Sequence, residues 1–488
     1  MRAKERSWVA LVALSLFWGF TAAATGAEPQ PPLSVQWVYS MEPDPASWKA
    51  PLITPGRVYV TNGGTLRCLD SRTGGELWKF IPVEARVTTS PVSWQDLVIV
   101  GATDSSVYAL KAETGEEAWK QPCAGSVGGD PIILDDLVVF GAQNLVYALV
   151  PSDGRPAWAC TLTSPVSEGP IAEGAMLYFL CQNGSLQCVD PSSGRFRWDV
   201  MLRTGPRAFA PIAGDRRVFV AGGNRIISVN SNGGVSWTAE MPAGIGGRPT
   251  LVGDTLYVPC VNGVIYAIHG RSGTPQHGAA LQISSPATSA PLVLGGTMFI
   301  GSGNALVYAL DVTSSAVQWL FRCVEPDQDL GAAATWGIYA PVEAGEGALY
   351  CLTGGGSLYS FSPAAPDAAG PIFSNLKPEQ GEALPGKQPV EVSFAVTDSG
   401  SGVDPATVEA TLDGQAVTTQ FAAASATGSF RVSSPNDGSH IVKVTARDFR
   451  GNTGTTEWSF LTDTTIAPPE GERTPTSTLR GRPGPGGR

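Results

Sequence analysis

Histidine is nearly missing from this chain: three residues in 488, at positions 269, 277 and 440. A histidine-based metal or catalytic centre therefore has little to be built from. Charge is sparse as well, at 15 % of residues, and its balance is acidic, with a net charge of -11 and a pI near 4.9. Such a body argues against nucleic acid, whose phosphates must be met by Lys and Arg. Beyond the N-terminal segment no apolar run is long enough to cross a bilayer. No nucleophile–base arrangement, P-loop or metal-ligand cluster occurs. The eight cysteines, at 68, 123, 160, 181, 188, 260, 323 and 351, include no adjacent pair and no zinc-like spacing.

Glycine and proline are abundant instead, 58 and 39 residues, alongside a hydrophobic fraction of 43 %. That combination points to many short strands and turns around real cores, and the length points to more than one domain. Residues 1–27 read as an export signal. Arg2, Lys4 and Arg6 precede an apolar core from Trp8 to Phe20, and Ala22-x-Ala24 is a cleavage pattern. No cysteine directly follows that core, so no acylation site is expected. The expected location is the periplasm, the medium or the cell surface. Export permits disulfides, and an even cysteine count is compatible with them. Cys68 and Cys188, however, occupy a repeat position held elsewhere by Ala109, Ala148, Ala267 and Ala309, which favours small buried core residues.

The repeat is the strongest signal in the chain. Trp37, Trp78, Trp119, Trp158, Trp198, Trp237 and Trp319 are spaced 41, 41, 39, 40, 39 and 82 residues apart, and His277 stands where the double gap needs a residue. A second marker keeps the same phase: Pro51, Pro91, Pro131, Pro170, Pro211, Pro249, Pro291 and Pro341. Within a unit the pattern is strand-like. In the second, Asp96-Leu-Val-Ile-Val-Gly101 and Ser106-Val-Tyr-Ala-Leu110 precede a Thr114-Gly115 turn and Glu117-Ala-Trp119. Asn183-Gly184 and Asn262-Gly263 mark tight turns between the second and third strands. Each unit is therefore four short antiparallel strands, A to D, and eight such units make a β-propeller. The tryptophans, on strand D, are expected to pack against the next blade. Trp37 precedes any complete unit, while the last unit, from Pro341 to Ser362, lacks a strand D. The N-terminal strand is expected to complete the eighth blade and so remove the exposed edges.

Ala109-Leu-Lys-Ala-Glu-Thr114-Gly115-Glu-Glu-Ala-Trp119 resembles the tryptophan-docking repeat of pyrroloquinoline-quinone-type (PQQ-type) propellers. So do Cys68-Leu-Asp70-Ser-Arg-Thr73-Gly74-Gly-Glu-Leu-Trp78 and Cys188-Val-Asp190-Pro-Ser-Ser193-Gly194-Arg-Phe-Arg-Trp198. The resemblance covers residues 34–365. It implies one of two functions. Some members are quinoprotein dehydrogenases, with a vicinal cysteine disulfide beside the quinone, Ca²⁺-binding carboxylates and a catalytic aspartate. Others are similar to the propeller lipoprotein of the outer-membrane β-barrel assembly machine, and act as scaffolds without cofactor. The missing Cys-Cys pair and the absence of long insertions favour the second group.

After Pro366 the rhythm changes. Residues 371–463 contain no cysteine and no repeat, and Pro389–Val396, Thr407–Leu412 and His440–Ala446 alternate at period two. This predicts a β-sandwich similar to bacterial immunoglobulin-like modules, which serve as spacers or adhesive units. Asp398, Asp404 and Asp448 offer Ca²⁺ ligands but read better as turn formers. Residues 464–488 are Pro-, Gly-, Thr- and Arg-rich and are expected to be disordered.

One connection is enlarged. Seven of the eight Trp-to-Pro connections run 12 to 14 residues, whereas Trp319 to Pro341 spans 22. Loops enlarged on a rigid scaffold are where binding evolves. Glu325-Pro-Asp327-Gln-Asp329 lies there, and Glu42-Pro-Asp44 follows Trp37. These five acids form a candidate acidic patch for a cation or basic peptide, with Trp48 and Trp336 beside it. Arg207 and Arg248, just before strand A in their blades, are candidates to reach the central channel. The sequence supports an exported, non-enzymatic, two-domain scaffold that binds a protein or cell-envelope component. A PQQ-dependent dehydrogenase and a carbohydrate-binding or adhesive surface protein are the alternatives. No catalytic or cofactor residue is assigned, and PQQ and Ca²⁺ lack the motif residues that would support them.

Overall fold

The computed structural model describes residues 28–43, 49–204, 208–324 and 336–466, with the backbone alone for 277–279. The chain is all-β. Between residues 34 and 362 it folds into eight four-stranded antiparallel sheets, seven of them built from consecutive strands. In the second sheet strands A to D are Val92–Trp94, Leu97–Gly101, Ser106–Lys111 and Glu117–Pro122. Strand B is buried on both faces and strand C nearly so, while D is largely exposed and alternates. That is why B and C read as continuous apolar runs: each face is covered by a neighbouring blade.

The ring closes. Eight hydrophobic clusters each join one sheet to the next, and one of them joins the eighth to the first. In that last cluster Trp37, Tyr350 and Leu358 pack with Val58, Val60 and Leu69. The eighth sheet consists of Glu343–Gly345, Ala348–Leu352, Ser357–Ser362 and the N-terminal strand Ser34–Ser40. The N-terminal strand reproduces strand D in detail. Its register slips between Val35 and Trp37, where the second blade slips between Glu117 and Trp119.

Each strand-D tryptophan lies opposite a small residue of strand C: Cys68 faces Trp78, Ala109 faces Trp119 and Cys188 faces Trp198. Only a small side chain leaves room for the indole on the blade surface. The cysteines are therefore core residues. All eight are free thiols, and all but Cys123 are buried. Burial pushes the Cys68 thiol up to about 11 and the Cys188 thiol up to about 12, which keeps both unreactive.

The indoles dock as follows. Trp37 Nε1 donates to Ser71 O, Trp78 to Ala112 O, Trp119 to Pro151 O, Trp198 to Ser231 O and Trp237 to Gly270 O, at 2.7–3.1 Å. The acceptor is the first residue after strand C of the next blade, or, for Pro151 of the third blade, the second. The indole then covers the glycine of the Thr-Gly turn. Gly115, with φ +73°, shows why glycine is needed: a Cβ there would lie 2.6 Å from the Trp78 ring. Asp70 and Asp311 fix such turns by accepting backbone N–H groups two and three residues on, which draws both carboxyls below their ordinary value. The sixth blade carries His277 within strand Pro275–Gln282. The side chain of His277 lies outside the described residues.

A separate sandwich follows. One sheet contains Ile372–Lys377, Val390–Thr397, Thr427–Val432 and Gln420–Ala422, and the other is five-stranded around Gly438–Arg447 and Thr453–Asp463. Val392, Phe394, Val442, Val444, Trp458 and Phe460 form its own core.

Candidate functional site

Strand A is the innermost strand of every blade, so residues at its start face the axis. Five charged side chains from five blades meet there: Lys49, Asp130, Glu168, Arg248 and Glu343. Four stand within two residues of the proline that opens strand A in their blade, and Glu343 is two residues past its own. Lys49 Nζ pairs with Asp130 Oδ1 at 2.9 Å. Ser90, from the intervening blade, donates its N–H to Asp130 Oδ1 at 2.7 Å and its hydroxyl to Oδ2 at 2.9 Å. Asp130 nevertheless keeps 44 % of its side chain exposed. A group that is closely surrounded by protein yet partly open faces a narrow aqueous passage.

The electrostatics agree. Burial works to raise the Asp130 carboxyl, but Lys49 and Ser90 together hold it below the ordinary carboxylate value. Glu168 is raised, first by burial and then by the charge of Asp130. Glu343 is pushed up to about 8 by burial, against the pull of Arg248. Burial also lowers Arg248, while Glu168, Asp130 and Glu343 oppose that shift. Blades three, four, six and eight influence one another only if these groups share one axis. Arg248 is anchored by donation from Nη2 to Pro211 O at 2.5 Å.

Glu343 carries a pH prediction. Its folded value near 8, against an ordinary 4.5, means that the folded chain holds a proton that the unfolded chain gives up between those values. Stability therefore falls as pH rises through that window. Glu343→Gln cannot ionise. The variant is expected to match the parent in thermal midpoint at pH 5 and to exceed it at pH 8.5, in a melting series over that range.

Of the acidic-patch and channel candidates read from sequence, Arg248, Glu42 and Trp336 are described. Arg248 lies among the axial charges. The Glu42 carbonyl accepts Asn62 Nδ2 at 2.7 Å, and Met41 N donates to Gly356 O at 3.0 Å, so this segment is tied between blades eight and one. Trp336 is partly buried. Asp44, Trp48, Arg207, Glu325, Asp327 and Asp329 lie outside the described residues. Asp398 and Asp448 come together with Asp367, with carboxylate oxygens within 4.8 Å of one another. Burial and those two neighbours push Asp398 up to about 6. Asp404 stands apart as the N-cap of a single turn, accepting from Ala406 N. Lys49, Asp130, Glu168 and Glu343 escaped sequence reasoning. Their signal is proximity to the strand-A proline, the feature that marked Arg207 and Arg248.

The fold and its docking tryptophans together define a β-propeller of the PQQ-repeat class. Residues 62–210, 182–320 and 223–365 match the family described as outer membrane protein assembly factor BamB. The matches span more than half of the chain, which belongs to that family. Outer membrane protein assembly factor BamB of Xanthomonas campestris pv. campestris is 26 % identical over 322 residues, covering 62 % of this chain and 70 % of that protein. A quinohemoprotein alcohol dehydrogenase of Comamonas testosteroni is 30 % identical over 100 residues, which cover 18 % of this chain and only 14 % of the dehydrogenase. The crystal structure of BamB from Moraxella catarrhalis superposes with a TM-score of 0.53 at 14 % identity, covering 68 % of this chain and 99 % of that one. At that identity the likeness shows the fold alone.

Proposed function

We propose that this chain is a non-enzymatic scaffold of the cell envelope, binding a protein partner through the loops and channel mouth of its propeller, outside the cytoplasm. The family match over 62–365 carries the reading. The axial chemistry supports it. Asp130 is paired with Lys49 and hydrogen-bonded by Ser90, and Glu343 holds its proton above the ordinary carboxylate range, so the axis is lined by charges already engaged within the propeller. No two cysteines are adjacent to make the disulfide that accompanies a quinone site. Among the described residues no helix is long and apolar enough to cross a membrane.

The test is affinity purification of the chain from envelope extract, with mass spectrometry, beside incubation with PQQ and Ca²⁺. Outer-membrane β-barrel proteins or their assembly components are expected to co-purify, with no quinone absorbance and no dye-linked alcohol oxidation. Quinone absorbance with turnover would replace the scaffold by a dehydrogenase.

A further inference from the structure

The seventh blade breaks the docking rule. Trp319, on strand Val317–Arg322, should donate to the first residue after strand C of the eighth blade. That strand ends at Ser362, so the expected acceptor is the Pro363 carbonyl. The eighth blade, however, takes its strand D from the N-terminus, so no C-to-D turn connects the two. Trp319 Nε1 donates instead to Ser401 O of the sandwich, at 2.8 Å. The Pro363 carbonyl accepts Arg450 Nη2, also from the sandwich.

The substitution extends beyond one bond. Gly402, with φ +86°, lies so close to blade seven that a Cβ would come within 2.6 Å of Leu320 O and 3.3 Å of the Phe321 ring. In other blades the turn glycine lies under the indole itself; here Gly402 makes the equally close approach to the backbone and ring of the two residues that follow Trp319. Gly400 O accepts the N–H of Val35, the closing strand's second residue, at 3.0 Å. Arg450 Nε donates to Ser34 Oγ at 3.1 Å. Phe449 packs against the clusters joining blades six to seven and seven to eight, and Ala423 and Ala424 pack against the first of these.

The loops that reach across are themselves fixed. Asp398 Oδ2 accepts Gly400 N and Gly402 N, and Asp367 Oδ2 accepts Ser401 N at 2.7 Å. Asp448 Oδ1 accepts Arg450 N and Asn452 N, and Asn452 Nδ2 reaches back to Asp367 O. Asp367 belongs to the connection between the domains. That connection is therefore pinned to the sandwich and gives no free hinge.

We propose that the C-terminal sandwich is the closing element of the propeller: its 398–402 loop stands in for the docking turn that the eighth blade lacks, so ring closure and sandwich docking are one cooperative event. The module is thus a structural part of the ring, in contrast to the spacer or adhesive role that its sequence resemblance implies. The closing strand is gripped from two sides, by Ser357–Ser362 and by the sandwich.

Hydrogen exchange on the full-length chain tests this, with Arg450→Ala and Phe449→Leu compared with the parent. Amides of Ser34–Ser40 and Ser357–Ser362 are expected to exchange about tenfold faster in both variants, while Met176–Cys181, on the far side of the ring, stays as protected as before. The parent is expected to melt in one calorimetric transition. If Arg450→Ala fails to fold, Trp319→Phe keeps an aromatic ring while removing the N–H and part of the indole, and should loosen the same strands. Faster exchange confined to the sandwich, or separate melting of sandwich and propeller in the parent, would overturn the proposal.

Discussion

Trp319→Ala is expected to destabilise the protein by about 3–5 kcal/mol, the range for emptying a large buried aromatic site. Trp319 is fully buried, meets Phe361 edge-on with ring centroids 5.2 Å apart, and stacks with Phe321 at 6.2 Å. Its removal leaves a cavity between blades seven and eight and strips the Ser401 carbonyl of its donor. Trp158 occupies the equivalent place in the third blade but is only partly buried, and its Nε1 has no hydrogen-bond partner. Trp158→Ala should therefore lose less, about 1–2 kcal/mol, roughly the transfer term of a partly covered side chain. Urea unfolding of the two variants and the parent measures the difference. Equal losses at the two positions would show that the indoles contribute by their own bulk and not by what they dock against.

Deleting residues 28–40 should have the larger effect. The segment contributes the whole outer strand of the eighth blade, six paired residues against Ser357–Ser362. It also brings Trp37 into the cluster that welds blade eight to blade one. Without it Val58, Val60, Tyr350 and Leu358, all now buried, would face water or one another across an unclosed gap. A loss of about 5 kcal/mol or more is expected, comparable with the ~5–15 kcal/mol total stability of folded proteins. The shortened chain should elute as an expanded or aggregated species on size exclusion, with weakened near-ultraviolet circular dichroism. A synthetic peptide of residues 28–41, added in excess, should restore the compact form in a concentration-dependent way.

Much of this was legible from the residues themselves. Phased tryptophans and prolines count the blades because each blade must place one indole and one strand-A start at fixed points. Trp37 announced the closing strand because it stands before any complete unit. Cys68 and Cys188 could be read as core residues because alanine holds their place elsewhere in the repeat. Other features were hidden for a physical reason. Lys49 and Glu343 lie at opposite ends of the propeller sequence, and only the circular arrangement brings both to the axis. Ser401 and Gly402 read as an ordinary turn of the second domain. Nothing local reveals that the turn also faces Trp319, because that need arises from a vacancy after Ser362. Asp398 was rightly readable as a turn former, since it accepts the N–H groups of Gly400 and Gly402.

The central claim is that the N-terminal strand closes the ring on the last blade. Ser40 Oγ and Ser357 Oγ lie 3.5 Å apart across that seam. In the double variant Ser40→Cys/Ser357→Cys, mild oxidation followed by proteolysis and mass spectrometry should recover a disulfide-linked pair of peptides containing residues 40 and 357. Recovery of both thiols unlinked in the folded protein would contradict the account.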